Sequence, residues 1–169
     1  MVCNGQSPPP GFTVSNTAET WDGTSWTEVA DLPENAVSRS GFGTSTAGIV
    51  CGGDTGSISA ETDSWDGSSW TEVADLNEGK QYVASAGLSS DLSLAFGGNT
   101  PSVTVNTESW NGSAWTEVNN MSFSSASRKG TPSSSSVSSL ASGGTPGPGD
   151  ATTTEEWTAL LSNRTITIS

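Results

Sequence analysis

Histidine is absent from the 169 residues, tyrosine occurs once (Tyr82) and cysteine twice (Cys3, Cys51). Ser-His-Asp triads, histidine zinc centres and Cys-Cys-His clusters therefore have no reagents here. Cations are scarce as well: five Lys and Arg stand against 18 Asp and Glu, a net charge of −13. Neutralising a phosphate backbone requires clustered basic side chains, so nucleic acid is excluded as a partner. No apolar run approaches the roughly 18 residues that span a bilayer, and Met1-Val2-Cys3-Asn4 has neither the basic nor the apolar stretch of a secretion leader. Membrane insertion is not expected. The carboxylates Asp22, Asp54, Asp63, Asp66, Asp91 and Asp150 lack the density of an EF-hand or nonapeptide calcium site and read as a solvated acidic face. No catalytic, cofactor or metal residue is assigned.

What is present points to short polar strands. Ser (31) and Thr (22) make up 53 residues, with 20 Gly and 8 Pro. Ser and Gly weaken the helical backbone, whereas Thr, Val and seven Trp favour a pleated surface. The expectation is an all-β chain forming one domain, large enough to bury about 70% of its unfolded surface.

The tryptophans give the period. Trp21, Trp65, Trp110 and Trp157 are spaced by 44, 45 and 47 residues. The phrase Glu19-Thr20-Trp21-Asp22-Gly23-Thr24-Ser25-Trp26-Thr27-Glu28-Val29 returns at 63–73 with Trp65 and Trp70, and at 108–118 with Trp110 and Trp115. Gly52-Gly53, Gly97-Gly98 and Gly143-Gly144 travel in phase, each ending an apolar run, and so do Leu32, Leu76 and Met121. One period reads as four strands, exemplified by Ala84–Leu88, Leu92–Phe96, Thr104–Trp110 and Ala114–Val118. Asp22-Gly23, Asp66-Gly67 and Asn111-Gly112 mark the turn between the last two, because Gly supplies the positive φ that such turns need. A lone four-stranded sheet cannot bury its faces. Stacking sheets around an axis does so, and the result is a β-propeller.

These residues resemble the kelch repeats: an apolar strand ending in Gly-Gly, then an aromatic residue, a Trp soon after, an apolar pair, and often an Arg. Gly52-Gly53, Trp65, Trp70 and Leu76 follow that order, as do Gly97-Gly98, Trp110, Trp115 and Met121. Trp replaces the usual first Tyr, Val83 stands where Arg39 and Arg128 predict a base, and the fourth copy has no second Trp. The resemblance implies a kelch-like propeller of about four four-stranded blades, at 1–32, 38–75, 82–120 and 127–169. Val2-Cys3-Asn4-Gly5 parallels Val50-Cys51-Gly52-Gly53, so the first blade begins at its second strand. Arg164–Ser169 alternates as a further strand that completes blade four or enters blade one. Completion of the ring by a second chain stays open.

Strict repetition makes Trp21, Trp26, Trp65, Trp70, Trp110, Trp115 and Trp157 packing residues in equivalent environments rather than a sugar-stacking surface, and ligand contacts are expected in loops that differ between repeats. Cys3 and Cys51, on equivalent inner strands, read as small buried hydrophobes rather than a disulfide. Kelch-like propellers include a copper radical oxidase, whose metal needs two Tyr and two His, which this sequence lacks. The near-identical copies, Ser/Thr richness and acidity are also similar to kelch-like repeats of virion proteins from tailed, notably marine, phages. That resemblance implies a non-enzymatic tail-fibre, appendage or capsid-decorating protein in the particle, binding other virion subunits or a host-surface glycan or protein, and acting as a homo-oligomer. The alternatives are an extracellular or cytoplasmic kelch scaffold for protein partners, or a carbohydrate-active enzyme using loop carboxylates.

Overall fold

A computed structural model describes residues 2–6, 14–89, 92–130, 138–145 and 154–158. Every described element is a β-strand, and the strands form four small antiparallel sheets. The first sheet holds β1 (Val2–Gln6), β2 (Val14–Trp21) and β3 (Trp26–Val29). The second holds β4 (Ser40–Gly43), β5 (Gly48–Cys51), β6 (Thr62–Trp65) and β7 (Trp70–Glu72). The third holds β8 (Ala84–Ser89), β9 (Leu92–Phe96), β10 (Thr107–Trp110) and β11 (Trp115–Val118). The fourth holds β12 (Lys129–Gly130), β13 (Ser138–Ser142) and β14 (Thr154–Thr158). Each is a meander in sequence order. The architecture is β-propeller-like.

Alternation along the strands makes a core of thin seams between sheets. From the second sheet, Val50 points back to Ala18 and Leu32 of the first, while Ile49 and Cys51 point forward to Ala95, Trp110 and Trp115 of the third. From the third, Leu94 and Phe96 point forward to Ala141 and Trp157 of the fourth. Three seams join four sheets in a row, and no hydrophobic cluster among the described residues joins the fourth to the first. The row is open.

Backbone hydrogen bonds repeat with the same period. Leu32, Leu76 and Met121 donate their N–H to Asn16, Ala60 and Val105 at 2.9–3.0 Å, which fastens the chain leaving each outer strand. Ser38, Tyr82 and Ser127 adopt φ of 56–59° at one repeat position, and they link consecutive units: Tyr82 N–H donates to Ser38 and Ser127 N–H to Tyr82.

Two expectations are corrected. The third strand of a repeat starts at Thr107 rather than Thr104, because Thr104 N–H donates to Gly98 and Asn99 bridges Val103, holding that stretch in a loop. The fourth starts at Trp115 rather than Ala114, whose N–H the Asn111 side chain takes. Arg164–Ser169 lies outside the described residues.

Candidate functional site

The Trp–turn–Trp phrase is a hairpin neck. Trp21 pairs with Trp26, Trp65 with Trp70 and Trp110 with Trp115 across adjacent strands, with ring centroids 5.1–5.4 Å apart and planes tilted 44–49°. The turn residue holds the loop by its side chain. One Oδ1 accepts two backbone N–H groups in each copy: Thr24 and Ser25 at Asp22, Ser68 and Ser69 at Asp66, Ser113 and Ala114 at Asn111. These bonds favour the ionised form, so the Asp66 carboxyl is lowered to about 2, and Asp22 is also lowered.

In the second and third sheets the second Trp of the pair leans on the preceding unit. Trp115 Nε1 donates to Thr62 Oγ1 at 3.1 Å, with its ring edge-on to Phe42, and Trp70 Nε1 donates to the Ala30 carbonyl at 3.0 Å. Trp65 Nε1 donates within its own sheet to Ser45 O. Environments are not equivalent, contrary to the sequence expectation. Trp65 and Trp110 are 2% and 1% exposed, whereas Trp21 and Trp26 are 45% and 48% exposed, because the first sheet has no sheet before it among the described residues.

The Gly-Gly pairs follow the same logic. A Cβ on Gly52 would come within 2.4 Å of the Lys80 carbonyl, and one on Gly97 within 2.5 Å of that of Ser125, both in the next unit. At Gly143 a Cβ would meet no described residue within 4 Å. The second glycine is crowded within its own unit: Gly53 by Val37 and Arg39, Gly98 by Gln81 and Val83, Gly144 by Ser125 and Arg128.

Sequence reasoning missed a set of ion pairs. Asp63, Glu108 and Glu155 share one repeat position, and each carboxylate meets a cation: Arg39 bonds Asp63 and Glu61, Lys80 bonds Glu108 at 2.6 Å, and Arg128 bonds Glu155 at 3.3 Å. Val83 does break the Arg39–Arg128 series. The base comes instead from Lys80, three residues earlier, with Lys80 and Glu108 fully buried. Glu61 is pushed above the usual carboxylate range by burial and by Glu34, against the pull of Arg39. Cys51 is a buried free thiol raised to about 12 by desolvation; the side chain of Cys3 lies outside the described residues.

A cleft of about 230 Å³ opens between the third and fourth sheets, lined by Leu94, Thr107, Met121, Ala141, Glu155 and Trp157 among others. Thr107 is the repeat counterpart of Thr62, which takes Trp115 in the preceding seam. The fourth repeat has no second Trp to bring to it. Among the described residues no three His, Cys, Asp or Glu side chains gather as a metal site, and no helix is long and apolar enough to cross a membrane.

No protein-family model matches the chain, and no curated protein matches it. Solved structures do match it. The protein described as "Structure of YjhT" is similar in fold, with a TM-score of 0.70 and 16% identity over 86% of this chain. The chain spans about half of that protein, 49% of its length.

Among the residues that differ between repeats, those just after the Gly-Gly pairs lie together at one end of the sheets. There Asp54, Asn99 and Thr145, each just after a Gly-Gly pair, bridge back to Val37, Gln81 and Ala126. Asp54-Thr55-Gly56-Ser57 and Asn99-Thr100-Pro101-Ser102 form the loops beyond. Tyr82, 46% exposed, stands at the repeat position that is Ser38 and Ser127 in the neighbours.

Proposed function

We propose that the protein is a non-enzymatic interaction module with a kelch-like repeat, a structural or adhesive component of a tailed-phage particle that contacts a host surface or neighbouring subunits. One observation carries the reading: the repeated side chains of the second and third sheets are engaged in seams and ion pairs, while residues that vary after each Gly-Gly pair project from one end in polar loops beside Tyr82. Rigid repeats carrying variable loops are the usual form of a recognition surface. Near-identical copies, Ser/Thr richness and the −13 charge support the virion assignment through their likeness to phage repeats. The cation–carboxylate pairs do structural work, since each ties a base to one position on the third strand of its sheet.

Immunogold labelling with an antibody against this chain tests the assignment. Gold on tails or capsids of intact particles is the expected outcome, with Tyr82→Asn lowering adhesion while the thermal midpoint holds. Asn is chosen because it tolerates the left-handed backbone at this position. Chain found only in the soluble fraction of uninfected cells overturns the proposal.

A further inference from the structure

The two ends of the open row carry the two halves of a seam the molecule builds elsewhere. On the leading face of the first sheet stand Trp21 and Trp26, 45% and 48% exposed. Their counterparts Trp65 and Trp70, or Trp110 and Trp115, face the preceding sheet, and Trp70 and Trp115 hydrogen-bond to the preceding unit. On the trailing face of the fourth sheet stands Leu140, 44% exposed, whose counterparts Ile49 and Leu94 are 2% and 1% exposed against the following sheet. Thr154, counterpart of the Thr62 that accepts Trp115 Nε1, is exposed on the same face. Gly143, whose counterparts touch the next unit, would meet no described residue within 4 Å of an added Cβ.

We propose that a second copy of this chain covers these faces head to tail, Trp21 and Trp26 of one copy seating on the Leu140 and Thr154 face of the other. Two observations select this occupant. The internal seams show what each face takes. The ends are complementary to each other rather than to themselves: one carries aromatic donors, the other an aliphatic side chain and a hydroxyl acceptor. A heterologous contact of this kind closes as a ring when the rotation permits. Two copies would give eight sheets, within the roughly four to eight blades that propellers use.

Light scattering on the full chain, over a wide concentration range, tests the assembly. A mass of twice 17.2 kDa is expected. Trp26→Glu and Leu140→Glu should each lower it to 17.2 kDa with the far-ultraviolet spectrum unchanged. A mixture of the two variants should regain the double mass, because one of its two junctions then joins an intact head to an intact tail. If a Glu variant fails to fold, Trp26→Ser and Leu140→Ser are read by the same criterion. A wild-type mass of 17.2 kDa throughout, a mass above two copies, a dimer indifferent to both substitutions, or a mixture that stays monomeric overturns the proposal. So does protection of Trp21 and Trp26 from acrylamide that follows added oligosaccharide and not protein concentration, since that marks a sugar platform.

Discussion

Replacing Lys80 with Met removes a charge while keeping a stem of similar length, and its cost can be worked from the contacts. Lys80 is 0% and Glu108 2% exposed, and Nζ lies 2.6 Å from Oε1. Breaking a buried pair by removing one partner costs about 3–5 kcal/mol, because the remaining charge is stranded away from water. Glu108 keeps two other bonds, since Oε2 accepts Asn77 N–H at 2.8 Å and Asn77 Nδ2 at 2.7 Å. Those bonds still stabilise the carboxylate, which places Lys80→Met near the lower figure, about 3 kcal/mol. Glu108→Leu strands the ammonium and removes both Asn77 bonds, so its loss is at least as large. The double variant removes both charges and leaves only the Asn77 donors, which are exposed and can turn to water; about 1 kcal/mol is expected. Urea unfolding followed by tryptophan fluorescence, with Trp110 and Trp115 in the same sheet, reports all three. A Lys80→Met loss below about 1 kcal/mol, or a double variant equal to the sum of the singles, would refute the reasoning.

Further outcomes follow from the same contacts. Trp65→Ala should cost about 3–5 kcal/mol in urea unfolding, the range for emptying a buried large aromatic site; an unchanged midpoint would contradict its packing role. Cys51 should resist thiol reagents at pH 8 in the native protein and react once unfolded. Since its folded pKa is raised, to about 12 from 9.0, it should contribute a loss of stability as pH rises above 9, because only the unfolded thiol ionises there. Asp66 has the opposite sign: its folded pKa is depressed from 3.8 to about 2, so its contribution is present above 3.8 and is lost as pH falls toward 2. Asp66→Ala should flatten that acid limb in a pH series of thermal midpoints.

Much of the fold is legible because the code is periodic. The register pairing Trp65 with Trp70 and the strand Leu92–Phe96 follow from local chemistry: turn residues, alternation and an apolar run closed by Gly-Gly. Thr104–Asn106 was not legible as loop, since its sequence is strand-like and only the bonds to Gly98 and Asn99 withdraw it from the sheet. Lys80 escaped because it stands off the repeat position of Arg39 and Arg128; a long flexible side chain reaches the same carboxylate from three residues away. Trp21 and Trp65 occupy near-identical phrases. Their exposures differ because burial is set by the neighbouring sheet, which no local pattern records. Tyr82 was visible as the single tyrosine, but its place among the variable loops depends on the left-handed turn it shares with Ser38 and Ser127.

The central claim is that the tryptophans are seam residues whose environment depends on their place in the row, and indole N–H exchange measures it most directly. In Leu140→Glu protein, held monomeric, the account predicts slow exchange at Trp65, Trp70 and Trp115, whose Nε1 groups donate to Ser45, Ala30 and Thr62. Trp21 and Trp26 should exchange fast. Uniformly fast exchange at all of these indoles would contradict it, for then the rings would form an open surface and the repeats would serve a ligand rather than the fold.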